Sequence, residues 1–193
     1  MKNLFTVILF VIAISFNAQE QRKIPLFSLS PFFEVNLEMR NGTRITGLGR
    51  KNFNDEIVFK TDDKAEKLTY NSKQVKTITM NIKGSIYIYE YKIDINSNKV
   101  KLVELLIVGK MNLYSTSNCD SQGNCFPTYY ISKSNEDFVQ NMGGGRTRSN
   151  NFQEKSEQIF ADCPDLIEKM KAKYFRKYGV EDVVNYYNSS CTK

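Results

Sequence analysis

Residues 33–50 read FEVNLEMRNGTRITGLGR, and their period decides the fold. Val35, Leu37 and Met39 alternate with Asn36, Glu38 and Arg40, so an extended segment here has one apolar and one polar face. Asn41-Gly42 follows at once, a dipeptide suited to the positive φ angles of a two-residue hairpin turn. Further on, EIVFKTDDKAEKLTYN offers Ile57 and Phe59, an acidic turn at Asp62-Asp63, then Leu68 and Tyr70. KQVKTITMNI adds another short strand. Five short strands with tight turns are therefore predicted between Phe33 and Met80, as a small barrel or the first part of a longer meander.

The next segments, GSIYIYEYKIDI and KVKLVELLIVGKMNLYS, are joined by a turn at Asn96–Asn98. In the first, Ile86 and Ile88 face one way and Tyr87, Tyr89 and Tyr91 the other. Such a tyrosine row can stack on a glycan or flank a peptide edge, or it can simply pack under a neighbouring element. Leu102–Val108 is almost continuously apolar, as in a central strand covered on both faces. The C-terminal helices are the expected cover.

After TYYISK the period changes. Ser134 with Asp137 resembles a capping box opening a short helix through Phe138 and Val139. MGGGRTRSNN interrupts, and reads as a linker. Its glycines with Arg146 and Arg148 also suggest an anion site, but the spacing is not that of a phosphate loop. Asn151 with Glu154 opens FQEKSEQIFADC, and Pro164 suits the first turn of the next helix. Leu166, Ile167, Met170, Tyr174 and Phe175 form an apolar stripe ending at a stop, Gly179. Val180, Val183, Val184 and Tyr187 then face inward from a last helix. The predicted class is α+β, an antiparallel meander or small barrel followed by C-terminal helices packed on the sheet. Residues 19–193 make one domain, β-rich over 33–133 and helical over 134–193, with a glycine-rich loop at 143–149.

The front of the chain, MKNLFTVILFVIAISFNAQEQRK, has a positive start at Lys2, an apolar run from Leu4 to Phe16 and then short polar residues. This is the layout of a secretory signal peptide, too short for the roughly 20 residues of a membrane span. Cleavage is expected near Ala18, although Phe16 occupies a position where a small residue is the rule. Removal of residues 1–18 leaves 175 residues with 26 basic and 21 acidic side chains, a net charge of +5. That length supports one domain with a real core. The charges are scattered, with no run of five Lys or Arg, so a mixed solvated surface is expected and nucleic acid is not. No later stretch approaches 18 apolar residues, so no further span is expected. Export places the protein in the periplasm, on the cell surface or in the medium of a bacterium. The electrostatic partner that fits is an anionic envelope surface or glycan.

An exported chain with an even cysteine count reads first as a disulfide framework. Of the three pairings open to four cysteines, Cys119–Cys125 and Cys163–Cys191 are favoured. The first clips a tight loop, NCDSQGNC, between two strand-like segments, and the second ties the start of a C-terminal helix to the chain end. Chain-entropy arguments assign about 2.5 kcal/mol to the short loop and about 3.5 to the long one. A zinc site would need closer cysteine pairs or histidine, and intervals of 5, 37 and 27 residues do not supply them. No C-x-x-C redox pair or calcium loop is present either.

Two resemblances accompany these readings. The apolar strand, Asn41-Gly42 and RITG of residues 33–80 resemble small SH3-like or Sm-like barrels. GKMNLYS, YYISKSNE, IFADCPDLIEKMKAKYF and DVVNYYNSSC resemble, in that order, a group of uncharacterised exported bacterial proteins over residues 85–193. The second resemblance implies export and the placement of Cys163 and Cys191, and it carries no activity, cofactor or site residue with it.

The chain has no histidine, hence no Ser-His-Asp triad, Cys-His pair or histidine-ligated metal. G-x-S-x-G is missing, and the only S-x-x-K is Ser190–Lys193 at the chain end. Paired carboxylates remain, since glycoside hydrolysis needs only two acids facing a cleft. Glu38, Glu90 and Glu104 lie in strand-like segments. The leading expectation is an exported, non-catalytic protein without a cofactor, which binds an envelope protein or a surface glycan. The second is a carboxylate hydrolase of envelope polymers.

Overall fold

In the computed structural model, residues 31–120, 122–144, 150–172 and 179–191 are described. The signal-like stretch, Arg146, Arg148, Tyr174 and Phe175 lie outside them. Ten strands form one sheet: β1 (Phe33–Met39), β2 (Arg44–Lys51), β3 (Ile57–Lys60), β4 (Leu68–Tyr70), β5 (Val75–Ile82), β6 (Ser85–Asp94), β7 (Lys99–Ile107), β8 (Met111–Cys119), β9 (Cys125–Lys133) and β10 (Phe138–Gly143). Three helices follow, α1 (Asn150–Ile159), α2 (Pro164–Lys171) and α3 (Val180–Ser190). The class is α+β, and the sheet order is β10-β9-β8-β7-β6-β5-β1-β2-β3-β4.

The first five strands follow the sequence pattern. Gly42 takes φ +85° in the β1–β2 turn, and the Asn41 side chain accepts from the Thr43 amide at 3.0 Å. β1 pairs with both β2 and β5, which curls this end of the sheet. Two glycines permit the close curl of β2. A Cβ at Gly47 would stand 2.5 Å from the Lys60 carbonyl oxygen, and one at Gly49 would stand 2.8 Å from Val35. Inside lie Val35, Leu37, Ile57, Phe59, Val75, Ile78 and Met80, with Tyr89, Tyr91 and Leu102 from the adjoining strands. These five strands do not stand alone as a small barrel, because β5 goes on to pair with β6 and they become one end of a larger sheet.

The second half closes differently. β6 pairs along one edge with β7, and along the other first with β5 and then with β10. Since β10 also pairs with β9, strands β6–β10 close into a ring of pairings. The β10–β6 contact is parallel, so the sheet is not antiparallel throughout. This region corrects the helix expected at Ser134–Val139. Asn135 takes φ +69° in a tight turn, and Phe138–Gly143 is a strand. The backbone settles the matter: the amides of Ile93 and Ile95 donate to the carbonyls of Asp137 and Val139, at 2.9 and 3.1 Å, and so satisfy the edge that β5 leaves free.

The helices cover the outer face of β8–β10, where Met111, Leu113, Ile131 and Met142 pack against Phe152, Phe160, Leu166, Met170, Val183, Val184 and Tyr187. Pro164 stands in the first turn of α2, and Gly179 caps the start of α3, its amide donating to Asp182. Asn188 fastens α3 to the sheet by two bonds to the Met111 backbone, at 2.8 and 2.9 Å. Both disulfides pair as the spacing suggested, Cys119–Cys125 across the β8–β9 tip and Cys163–Cys191 between the front of α2 and the end of α3.

Candidate functional site

β6 carries two rows of side chains, and each changes character halfway along the strand. One row runs Ile86, Ile88, Glu90, Lys92, Asp94, and its second half faces the inside of the ring. There Val103, Tyr114, Tyr130 and Val139 form a small buried cluster. The charges beside it alternate in sign and are bonded to one another. Tyr114 donates to Glu90 at 3.0 Å, and Lys92 lies 3.2 Å from the same carboxylate oxygen. Lys92 also donates to the Glu136 carbonyl at 2.6 Å. Lys101 donates to Tyr130 at 3.1 Å and lies 3.5 Å from Asp94. Burial and the Glu90 charge push the Tyr114 hydroxyl well above the ordinary tyrosine range. Burial opposes the charge on Lys101, yet the Tyr130 and Asp94 oxygens hold its pKa above normal. Lys92 and Asp94 stay charged in this buried setting because each is paired. These pairs tie β6, β7, β8 and β9 together across the ring.

The other row runs Tyr87, Tyr89, Tyr91, Ile93, Ile95. Its first half is the predicted tyrosine platform, and the structure corrects that reading. Tyr89 and Tyr91 are only 5 % and 6 % exposed, in the core under the curled strands, and Tyr87 packs half-buried against them. Tyr91 donates to the Asp55 carbonyl at 2.6 Å, and burial, with Asp55 and Glu56 close by, pushes its hydroxyl far up. Tyr89 and Tyr91 offer no exposed ring face.

The second half of that row is uncovered. Ile93 is 39 % exposed and Ile95 47 %. Val100, directly across from Ile93 on β7, is 48 % exposed, and Phe138, beside Ile93 on β10, is 45 % exposed. Four large apolar side chains thus form a strip across three neighbouring strands. Scattered apolar exposure is ordinary, and a contiguous patch is the candidate for an interaction site. The strip leads into a cleft of about 260 Å³ between the sheet and α1. Ile95, Phe138, Met111, Ile131 and Ile159 give it an apolar wall, with Gln140, Gln158, Lys133 and Glu136 among its polar residues. The sequence did contain a signal: the apolar odd positions of β6 continue past the last tyrosine to Ile93 and, just beyond the strand, Ile95.

The strip and the cleft together offer an apolar surface large enough to seat an apolar group. The cleft has one carboxylate, Glu136, which accepts from the Lys133 amide at 3.0 Å. The three strand acids do not converge. Glu38 lies between Arg44 and Lys76, and Glu90 and Glu104 sit on opposite faces of adjoining strands. Among the described residues no group of three or more Cys, Asp or Glu is placed to hold a metal ion. No described helix is long and apolar enough to cross a membrane. Two disulfides fit an oxidising, extracellular compartment. No protein-family model, curated protein or solved structure matches the chain.

Proposed function

We propose that this is an exported, disulfide-stapled, non-catalytic binding protein, related to the exported bacterial group that residues 85–193 resemble. Its contact surface is the strip Val100–Ile93–Phe138–Ile95 with the adjoining cleft. The observation that carries this reading is the contiguity of four exposed apolar side chains across β7, β6 and β10 beside a cavity with apolar walls. Between the two partners expected from the sequence, the surface favours a protein. Glycans are held by flat aromatic faces, and three of the four strip residues are aliphatic. A cleft of about 260 Å³ falls just below the roughly 300–1,000 Å³ of small-molecule sites. It suits a side-chain anchor from a partner, the buried centre of a protein interface.

Chemical crosslinking in an exporting host tests the reading. A discrete adduct with another envelope protein is expected from the parent protein. It should be lost in Ile93→Asp/Phe138→Asp and retained in Ile86→Asp, which alters an exposed isoleucine on the opposite face. Equal loss from both variants would contradict the assignment.

A further inference from the structure

We propose that the outer face of β1–β4 carries a binding site for a phosphate monoester group, built on Phe32, Arg50, Lys60 and Lys67. It lies at the curled end of the sheet, on other strands than the strip, and does not depend on it. Three cations converge there on one aromatic ring. The Arg50 guanidinium stands 4.9 Å from the Phe32 ring centroid, the Lys60 ammonium 4.8 Å and the Lys67 ammonium 5.9 Å. The pairing register explains the convergence. Phe33 lies across from Gly49, which carries Phe32 alongside Arg50. Arg50 is paired with Val58 and Leu48 with Lys60, so these four side chains share one face. β3 and β4 pair as far as Phe59↔Leu68, and the next step brings Lys67 beside Lys60.

Like charges gathered this closely repel one another, and an anion placed among them relieves the repulsion. The electron-rich face of Phe32 holds the cations in position meanwhile. Lys60 is only 9 % exposed, a rare setting for a lysine. Its ammonium donates to the Asp63 carboxylate at 2.8 Å and to the Asp63 carbonyl at 3.3 Å. The Asp63 side chain is 88 % exposed, so water screens this pair, and a more highly charged anion can share or displace it. Glu34, on the same face of β1, instead accepts from Asn81 of β5 at 3.0 Å. Charge and shape then select the ligand class. A carboxylate brings one negative charge, whereas a phosphate monoester carries about −1.5 to −2 at neutral pH with three acceptor oxygens. Those oxygens match one forked donor, Arg50, and two point charges, Lys60 and Lys67. Leu48 and Val58, the half-buried cross-strand partners of Lys60 and Arg50, supply apolar surface beside the charges.

The test titrates the purified full exported chain with glucose 6-phosphate and with glucuronate. In a second arm the chain is floated with phosphatidylcholine vesicles, with and without phosphatidic acid, whose headgroup is a phosphate monoester. Glucose 6-phosphate should bind at least fivefold more tightly than glucuronate. Lys67→Ala, at an exposed position, should weaken it by about tenfold, the worth of one charge-assisted hydrogen bond. Arg50→Gln should do the same. Lys76→Ala, which alters an exposed lysine beside Glu38, should leave binding unchanged, as should Ile93→Asp/Phe138→Asp. Flotation on phosphatidic acid that Lys67→Ala abolishes assigns the group to a lipid, and binding in solution without flotation assigns it to a soluble phosphorylated molecule. Binding of neither probe, equal binding of glucuronate, or equal weakening in Lys76→Ala would overturn the site.

Discussion

The two halves of the sheet solve burial in opposite ways. Strands β1–β5 curl around apolar side chains, and Val35, Leu37, Phe59 and Met80 fill the inside. Strands β6–β10 close on themselves with Glu90, Lys92, Asp94 and Lys101 toward the inside, beside Tyr114 and Tyr130. They turn an apolar face outward to the helices. A curled apolar sheet is its own cover. A ring with charges inside needs an added layer, and its stability depends on that layer staying in place. Where the curl ends and the helices have not begun, apolar face is left over, and the strip is that remainder.

The comparison breaks most readily at the staple of the helical layer. Replacing Cys163 and Cys191 together by Ala should lower unfolding free energy by about 3.5 kcal/mol, the entropy of a long loop. The loss should fall on helix signal first, and it is read by urea unfolding followed by circular dichroism. Replacing Cys119 and Cys125 should cost less, about 1–2 kcal/mol. The reason is that the Asp120 carboxylate already accepts from the amides of Gln122 and Asn124, both at 2.9 Å, and holds the turn. A larger loss at the tip would reverse the ranking.

Inside the ring, Asp94→Ala leaves Lys101 facing Tyr130 without its carboxylate. Because Lys101 keeps about a third of its side chain in water, the loss should be about 1–2 kcal/mol, below the figure for a fully buried pair. Asn188→Ala should cost about 2 kcal/mol, because the Met111 amide and carbonyl lose both bonds to α3. Thermal unfolding checks each value.

The smallest expected effect is a pH profile. Tyr187 donates to Asp162 at 2.7 Å. Burial and that carboxylate push Tyr187 up to about 12, and the hydrogen bond holds Asp162 below the ordinary 3.8. A tyrosine raised in the folded state contributes stability that is whole below pH 10 and lost as pH climbs toward 12. A lowered carboxylate contributes above its unfolded value and loses its contribution as pH falls below 3.8. The urea midpoint should therefore fall at both ends, and Tyr187→Phe should flatten both arms.

Much of the fold was legible because local rules and tertiary demands agreed. Alternation gave β1, Asn41-Gly42 gave its turn, and Pro164 marked the start of α2. The spacing of Val180, Val183, Val184 and Tyr187 gave the inward face of α3. Misreadings came where a long-range partner decided. Ser134 and Asp137 have capping-box chemistry, but the edge of β6 needed a strand and Phe138–Gly143 supplied it. The tyrosine row lies on the same face as the candidate site, two residues short of it. Period 2 shows which residues share a face, but which part of that face is covered depends on how the preceding strands fold back, as where Tyr91 meets Asp55 from 36 residues away.

One measurement addresses the strip directly: a photo-crosslinker placed at Ile95 and, in a matched variant, at Ile86, each expressed in an exporting host. Both positions are exposed isoleucines, on opposite faces of the strand path. If the strip is the contact surface, Ile95 yields adducts with a foreign envelope protein and Ile86 does not. Equal adducts at both, or adducts at Ile86 alone, would contradict it.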